Sequence, residues 1–153
     1  PDWSDGRDEV QVSLSAVNIR ASLGEFLDCL TSLLPYNFDH VRESKVYFSY
    51  DSSAITAKAK QRLDELAEYL LADESISVVA MYGRTDSRGF RTYNDALGKR
   101  RAESVRDYLL GKGVKGDKFS IRLRSYGERK PVATNRTAKG RALNRMVEVT
   151  LHK

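Results

Sequence analysis

Two stretches near the C-terminus alternate apolar and polar residues without a break. Phe119, Ile121 and Leu123 interleave with Ser120, Arg122 and Arg124, and Val147, Val149 and Leu151 interleave with Glu148, Thr150 and His152. A period of two marks a strand with one buried face and one wetted face. Strands of that kind cannot be sandwiched between two helical layers, so helices must gather on one side of their sheet. The pattern therefore predicts a two-layer α/β sandwich.

The helices lie upstream. Residues 56–71 put Ala59, Leu63, Leu66, Ala67 and Leu70 on one stripe. A second helix is expected from about Thr92 to Leu110, stopped by Gly111 and Gly113. Val46, Phe48 and Tyr50 alternate with Tyr47 and Ser49 as a half-buried strand. The nearly unbroken apolar run from Ile76 to Tyr82 implies a strand buried on both faces. A short helix is expected near Thr137–Leu143, in a loop marked by Pro131, Asn135 and Gly140. The order is β-α-β-α-β-(α)-β, and strands joined through a helix are expected to pair in parallel.

Residues 1 to about 42 form a separate piece. Val10, Val12 and Leu14 suggest a strand, and Leu23, Phe26, Leu27, Leu30 and Leu34 suggest a helix ending at Pro35. One strand and one helix cannot bury both of their apolar faces. The piece is expected to be the tail of an upstream domain or a short strand-helix extension, with the main domain over 43–153.

At 153 residues and 41% hydrophobic, the chain has enough material for one domain with its own core. Nothing approaches the roughly 18 consecutive apolar residues of a membrane span, so no transmembrane segment is expected. Cys29, the single cysteine, reads as a buried inert thiol or as the partner of a cysteine further upstream. Cys29, His40 and His152 lie far apart, so neither a metal site nor a cofactor is expected. The net charge of +5 is concentrated late: from Arg122 onward nine Lys or Arg face only Glu128 and Glu148. Such asymmetry suits an anionic partner, or a solvated basic face. Nucleic-acid binding would need stacking aromatics on an exposed strand face. Tyr47 alone is a poor platform, and Arg122 and Arg124 lack aromatic neighbours in the sequence. No Ser/His/Asp or Cys/His grouping can be assembled. The acid pairs Asp64-Glu65 and Asp73-Glu74 read as solvated surface, so no enzyme is expected.

The chemistry concentrates between Gly83 and Ala102. On a helical wheel Asn94 and Arg101, seven positions apart, fall within about 20° of each other. Val105 follows on the same line, with Leu97 and Gly98 beside it. Arg101 thus sits in the apolar stripe, where an unpaired guanidinium would cost several kcal/mol. It must snorkel to an edge, meet an internal carboxylate, or line a cleft open to a ligand. Gly98, one turn earlier, leaves room on that face. Asp86, in the loop ahead of the helix, reads as a cap or an Asx-turn. It also sets a negative charge opposite Arg101, which suits a zwitterionic ligand with an ammonium and a carboxylate.

From about residue 42 to 153 the chain resembles the OmpA-like peptidoglycan-binding domain, also found in Pal lipoproteins and flagellar stator proteins. Val46-Tyr47-Phe48 with Asp51, Gly83, Thr85-Asp86, Gly89, Tyr93-Asn94, Leu97, Arg100-Arg101-Ala102, Ser125-Tyr126-Gly127 and Asn144-Arg145 carry the likeness. The resemblance implies a non-catalytic two-layer β/α sandwich that grips the diaminopimelate of peptidoglycan stems. It implies Asp86 on the ammonium and Arg101 on the carboxylate, with Thr85, Asn94 and Leu97 lining the site and Arg145 near its rim. Ser49 stands where many members have an acidic residue of the cleft. Arg84 stands in place of the usual histidine, and Met146 in place of a second arginine. Leu34-Pro35-Tyr36-Asn37-Phe38, leading into Val46–Asp51, is similar to a family of sodium-driven flagellar motor components. That likeness implies a periplasmic or outer-membrane anchor, with basal-body or stator proteins as partners. A Pal-like or porin-type envelope anchor is the alternative.

Overall fold

The computed structural model describes residues 37–153, in which four strands form one sheet with the long helices on one face. The strand expected over Val10–Leu14, the helix over Leu23–Leu34, and Cys29 lie outside the described residues. In chain order the elements are α1 (Phe38–Val41), β1 (Glu43–Tyr47), α2 (Ala57–Ala72) and β2 (Val78–Arg84). There follow α3 (Arg91–Gly111), β3 (Ser120–Gly127), α4 (Ala138–Asn144) and β4 (Met146–His152). Thr56 caps α2 by accepting from the Ala59 N–H, and Thr137 caps α4 by accepting from the Gly140 N–H.

The sheet runs β1-β4-β2-β3. Strands β2 and β3 pair in parallel as expected, but β1 and β2 do not touch, because β4 lies between them and is antiparallel to both. The reason is visible in the burial pattern. Val147, Val149 and Leu151 of β4 are buried and even its outward Glu148 and Thr150 are half-covered by neighbours on both sides, whereas β1 at the edge exposes every second residue and β3 exposes Ser120, Arg122 and Arg124. The helix-facing side of the sheet, with Val46, Val79, Met81, Val147 and Val149, packs on Leu63, Leu66 and Leu70 of α2 and on Ala102, Val105 and Leu109 of α3. Both helix stripes are the ones the spacing predicts.

Three sequence expectations are corrected. Strand β1 ends at Tyr47, so Tyr50 leaves the strand pattern and is 57% exposed. Asp73 is buried rather than solvated: its carboxylate accepts from the Tyr69 hydroxyl at 2.7 Å and from Ser75, and pairs with Lys153. Finally, Gly98 leaves no room for a ligand. A Cβ there would stand 2.4 Å from the Ser125 Oγ, and one on Gly83 would stand 1.8 Å from the Gly98 carbonyl oxygen. The two glycines let α3 lie directly against the backbone of β2.

Among the described residues no helix is long and apolar enough to cross a membrane, and no group of His, Cys, Asp or Glu is arranged to hold a metal.

Candidate functional site

Because β4 is antiparallel to both β1 and β2, the C-terminal ends of β1 and β2 meet the start of β4 at one end of the sheet. The loops leaving β1 and β2 and the first half of α3 enclose a cleft of about 90 Å³ there. Its walls include Tyr50 and Asp51 after β1, Thr85 and Asp86 after β2, Asn94, Leu97 and Arg101 of α3, and Arg145 before β4. Asp51, with φ 50°, turns the first loop toward the cleft, a conformation that aspartate tolerates better than most residues.

Arg101 is fully buried at the cleft floor. Of the three arrangements open to it from sequence alone, it takes the third and lines the cleft, held there by backbone carbonyls rather than by a carboxylate. Its Nε donates to the Ser52 carbonyl at 2.8 Å, its Nη1 to the Arg84 carbonyl at 2.9 Å and its Nη2 to the Ser49 carbonyl at 3.0 Å. Among the described residues no carboxylate forms an ion pair with it. Burial depresses its pKa to about 10, against the opposing pull of Asp86. Each Nη carries two N–H groups, and one on each is not engaged by these carbonyls. The positive charge is thus fixed in place by backbone, with donors in reserve.

Asp86 faces it with its own partners. Its carboxylate accepts from Arg145 Nη1 at 3.1 Å, from Arg88 Nη2 at 3.3 Å and from the Arg88 backbone N–H at 3.2 Å. Burial alone would raise its pKa. The Arg88 N–H and the two guanidiniums outweigh that and hold it below the ordinary carboxylate value.

Thr85 and Asn94 complete the polar lining. The Thr85 Oγ1 is buried and has no hydrogen-bond partner. Buried hydroxyls are seldom left unpaired, so an orphan inside a cleft marks a place for an incoming group. Asn94, 1% exposed, donates to Glu128 at 2.6 Å. A larger groove, about 640 Å³, runs between β1 and α2 beside Lys45, Lys58, Arg62 and Glu65. Its lining holds no orphaned buried atom, which sets it apart from the cleft.

The structure brings together Thr85, Asp86, Asn94, Leu97, Arg101 and Arg145. Ser49 contributes its carbonyl to Arg101, while its side chain does not line the cleft. Arg145 reaches past the rim to touch Asp86. Sequence reasoning missed Tyr50 and Arg88, whose side chains come from loops that periodicity does not cover. Arg84 turns its side chain to the open sheet face, pairing with Glu148 at 2.7 Å and lying over Tyr126. Tyr82 stacks on Tyr126, and Arg124 lies over the same ring, so that face does carry the aromatic neighbours the sequence hid.

Comparison with known proteins follows the same lines. The sodium-type flagellar protein MotY of Vibrio parahaemolyticus is 31% identical over 150 residues, 98% of this chain and 50% of that protein. The peptidoglycan-associated lipoprotein of Pseudomonas putida is 45% identical over 103 residues, 67% of this chain and 60% of its own length. The chain thus spans half of the length of the first of these relatives and three fifths of the second. The crystal structure of the peptidoglycan-associated lipoprotein from Burkholderia pseudomallei superposes with a TM-score of 0.65 at 33% identity, covering 71% of this chain and 89% of that one. The C-terminal domain of Helicobacter pylori MotB shares the fold, with a TM-score of 0.63 at 23% identity, over 72% of this chain and 84% of that one. The OmpA family profile matches residues 47–145, bounds that contain every residue lining the cleft, and the chain belongs to the OmpA family.

Proposed function

We propose that the chain binds peptidoglycan without catalysis, taking the zwitterionic headgroup of a diaminopimelate-bearing stem peptide into the cleft. The orphaned Thr85 Oγ1, on a residue that lines the same cleft as a buried cation and a buried anion, is the observation that carries this reading. Asp86 takes the ammonium, and the unengaged N–H groups of Arg101 take the carboxylate in the two-pronged manner guanidinium favours. Thr85, Asn94 and Leu97 fix the orientation, and Arg145 steadies Asp86. None of these groups forms a nucleophile–base pair, in keeping with an anchor rather than an enzyme.

The kinship with MotY runs over 98% of the chain, beyond the bounds of the family match. It supports a periplasmic anchor that ties a flagellar motor component to the wall, with basal-body or stator proteins as partners. The higher identity to the Pseudomonas putida lipoprotein, confined to 67% of the chain, favours the alternative of a Pal-like envelope anchor. Co-sedimentation with isolated flagellar basal bodies separates the two.

Sedimentation with purified sacculi tests the cleft. The wild-type chain is expected to pellet and Asp86→Ala to remain in the supernatant with an unchanged circular dichroism spectrum. An Asp86→Ala protein that still pellets would place wall binding elsewhere on the surface.

A further inference from the structure

Two side chains meet across the mouth of the cleft. Arg88, from the loop after β2, lays its guanidinium 3.9 Å from the centre of the Tyr50 ring, from the loop after β1. The same guanidinium bonds Asp86, which Arg145 also holds. Asp86 therefore carries two resident cations, and a ligand ammonium would be a third around one carboxylate. The cleft is also small, about 90 Å³ against roughly 300–1,000 Å³ for ordinary ligand pockets.

Both difficulties have one remedy, the departure of a resident guanidinium. Arg145 is 16% exposed at its side chain and is also tied to the Phe48 carbonyl. Arg88 is 45% exposed, and its guanidinium has no hydrogen bond besides the one to Asp86 among the described residues. It is the one free to leave.

We propose that Arg88 is an intramolecular stand-in for the ligand's ammonium, a clasp with Tyr50 that must open for binding and that sets the charge selectivity of the site. This inference rests on the reading of the cleft as a headgroup site. Displacing an exposed ion pair and its ring contact costs roughly threefold to tenfold in affinity.

Calorimetric titration with a soluble diaminopimelate-bearing muropeptide tests it on four proteins: wild type, Arg88→Ala, Arg91→Ala and Asp86→Ala. Arg88→Ala is expected to bind roughly threefold to tenfold tighter, with the fold retained by circular dichroism. Arg91→Ala removes the same charge from the exposed start of α3 and is expected to bind as wild type does. Asp86→Ala is expected to lose binding. If Asp86→Ala loses binding but Arg88→Ala binds no tighter, the clasp is overturned and the headgroup site stands. An equal gain from Arg91→Ala overturns the clasp in favour of a general charge effect. If Asp86→Ala binds normally, the headgroup site fails and the clasp with it.

Discussion

Arg101 and Asp86 border one cleft without bonding to each other. The guanidinium is held by the carbonyls of Ser49, Ser52 and Arg84, and the carboxylate by Arg88 and Arg145. Each charge is therefore compensated before any ligand arrives, which spares it the cost of being buried alone. It also means that Arg101 holds two loops together. Arg101→Ala would strip donors from three carbonyls at once, and a loss of about 3 kcal/mol or more is expected in urea unfolding. Loss of sacculus binding by that variant reports folding as well as contact, so Asp86 is the cleaner probe.

Thr85 separates binding from stability. Its hydroxyl has no partner in the free protein, so Thr85→Val removes an unsatisfied buried group of nearly the same shape. Unfolding free energy is expected to stay level or rise by up to about 1 kcal/mol. Muropeptide affinity is expected to fall roughly tenfold, the value of one hydrogen bond to a charged group. Parallel denaturation and titration curves check both halves, and a drop in stability without a drop in affinity would remove Thr85 from the site.

The glycine contact between α3 and β2 predicts an order of damage. A Cβ on Gly83 meets the Gly98 carbonyl at 1.8 Å, which is backbone and cannot turn aside, whereas a Cβ on Gly98 first meets the Ser125 hydroxyl. Gly83→Ala is expected to lose about 3 kcal/mol or more and Gly98→Ala about 1–2 kcal/mol. Thermal melting of the two variants decides it.

Acid should weaken the domain through Asp73. Burial opposes its ionised form, but the Ser75 and Tyr69 hydroxyls, the Ser75 N–H and Lys153 bring its pKa down to about 2. A folded-state pKa below the unfolded one gives stability that is full above the unfolded value and lost on descending through the folded one. About 2 kcal/mol is expected to disappear between about pH 4 and pH 2. Asp73→Asn should flatten that part of the unfolding profile, measured by denaturant titration at stepped pH.

The regular elements were legible because their periods are carried by side chains alone. Leu63, Leu66 and Leu70 announce one helix face, and Val147, Val149 and Leu151 one strand face. Strand order was not legible, since β1 and β4 carry the same alternation on one buried face, and which strand lies beside β2 is a property of the whole sheet. At the site, the wheel placed Asn94 and Arg101 together, but it cannot see backbone carbonyls from other loops. Hence the cage around Arg101 is invisible to it, and Gly98 reads as an opening although Ser125 of β3 and the backbone of β2 fill that space. Tyr50 departs from the alternation because β1 ends at Tyr47 and Tyr50 lies in the turn that follows, next to Asp51 with its left-handed backbone. Arg88 lies in a loop, where no period exists to aim it.

The position of the cleft past the end of β1 has a mechanical consequence. Tension between a ligand held there and the N-terminal side of β1 runs along that strand, from Tyr47 back to Glu43. Its ladder with β4 spans Glu43↔Thr150 to Tyr47↔Met146, with hydrogen bonds perpendicular to the pull. Such a load shears all of those bonds together rather than unzipping them one by one, the stronger geometry for a tether.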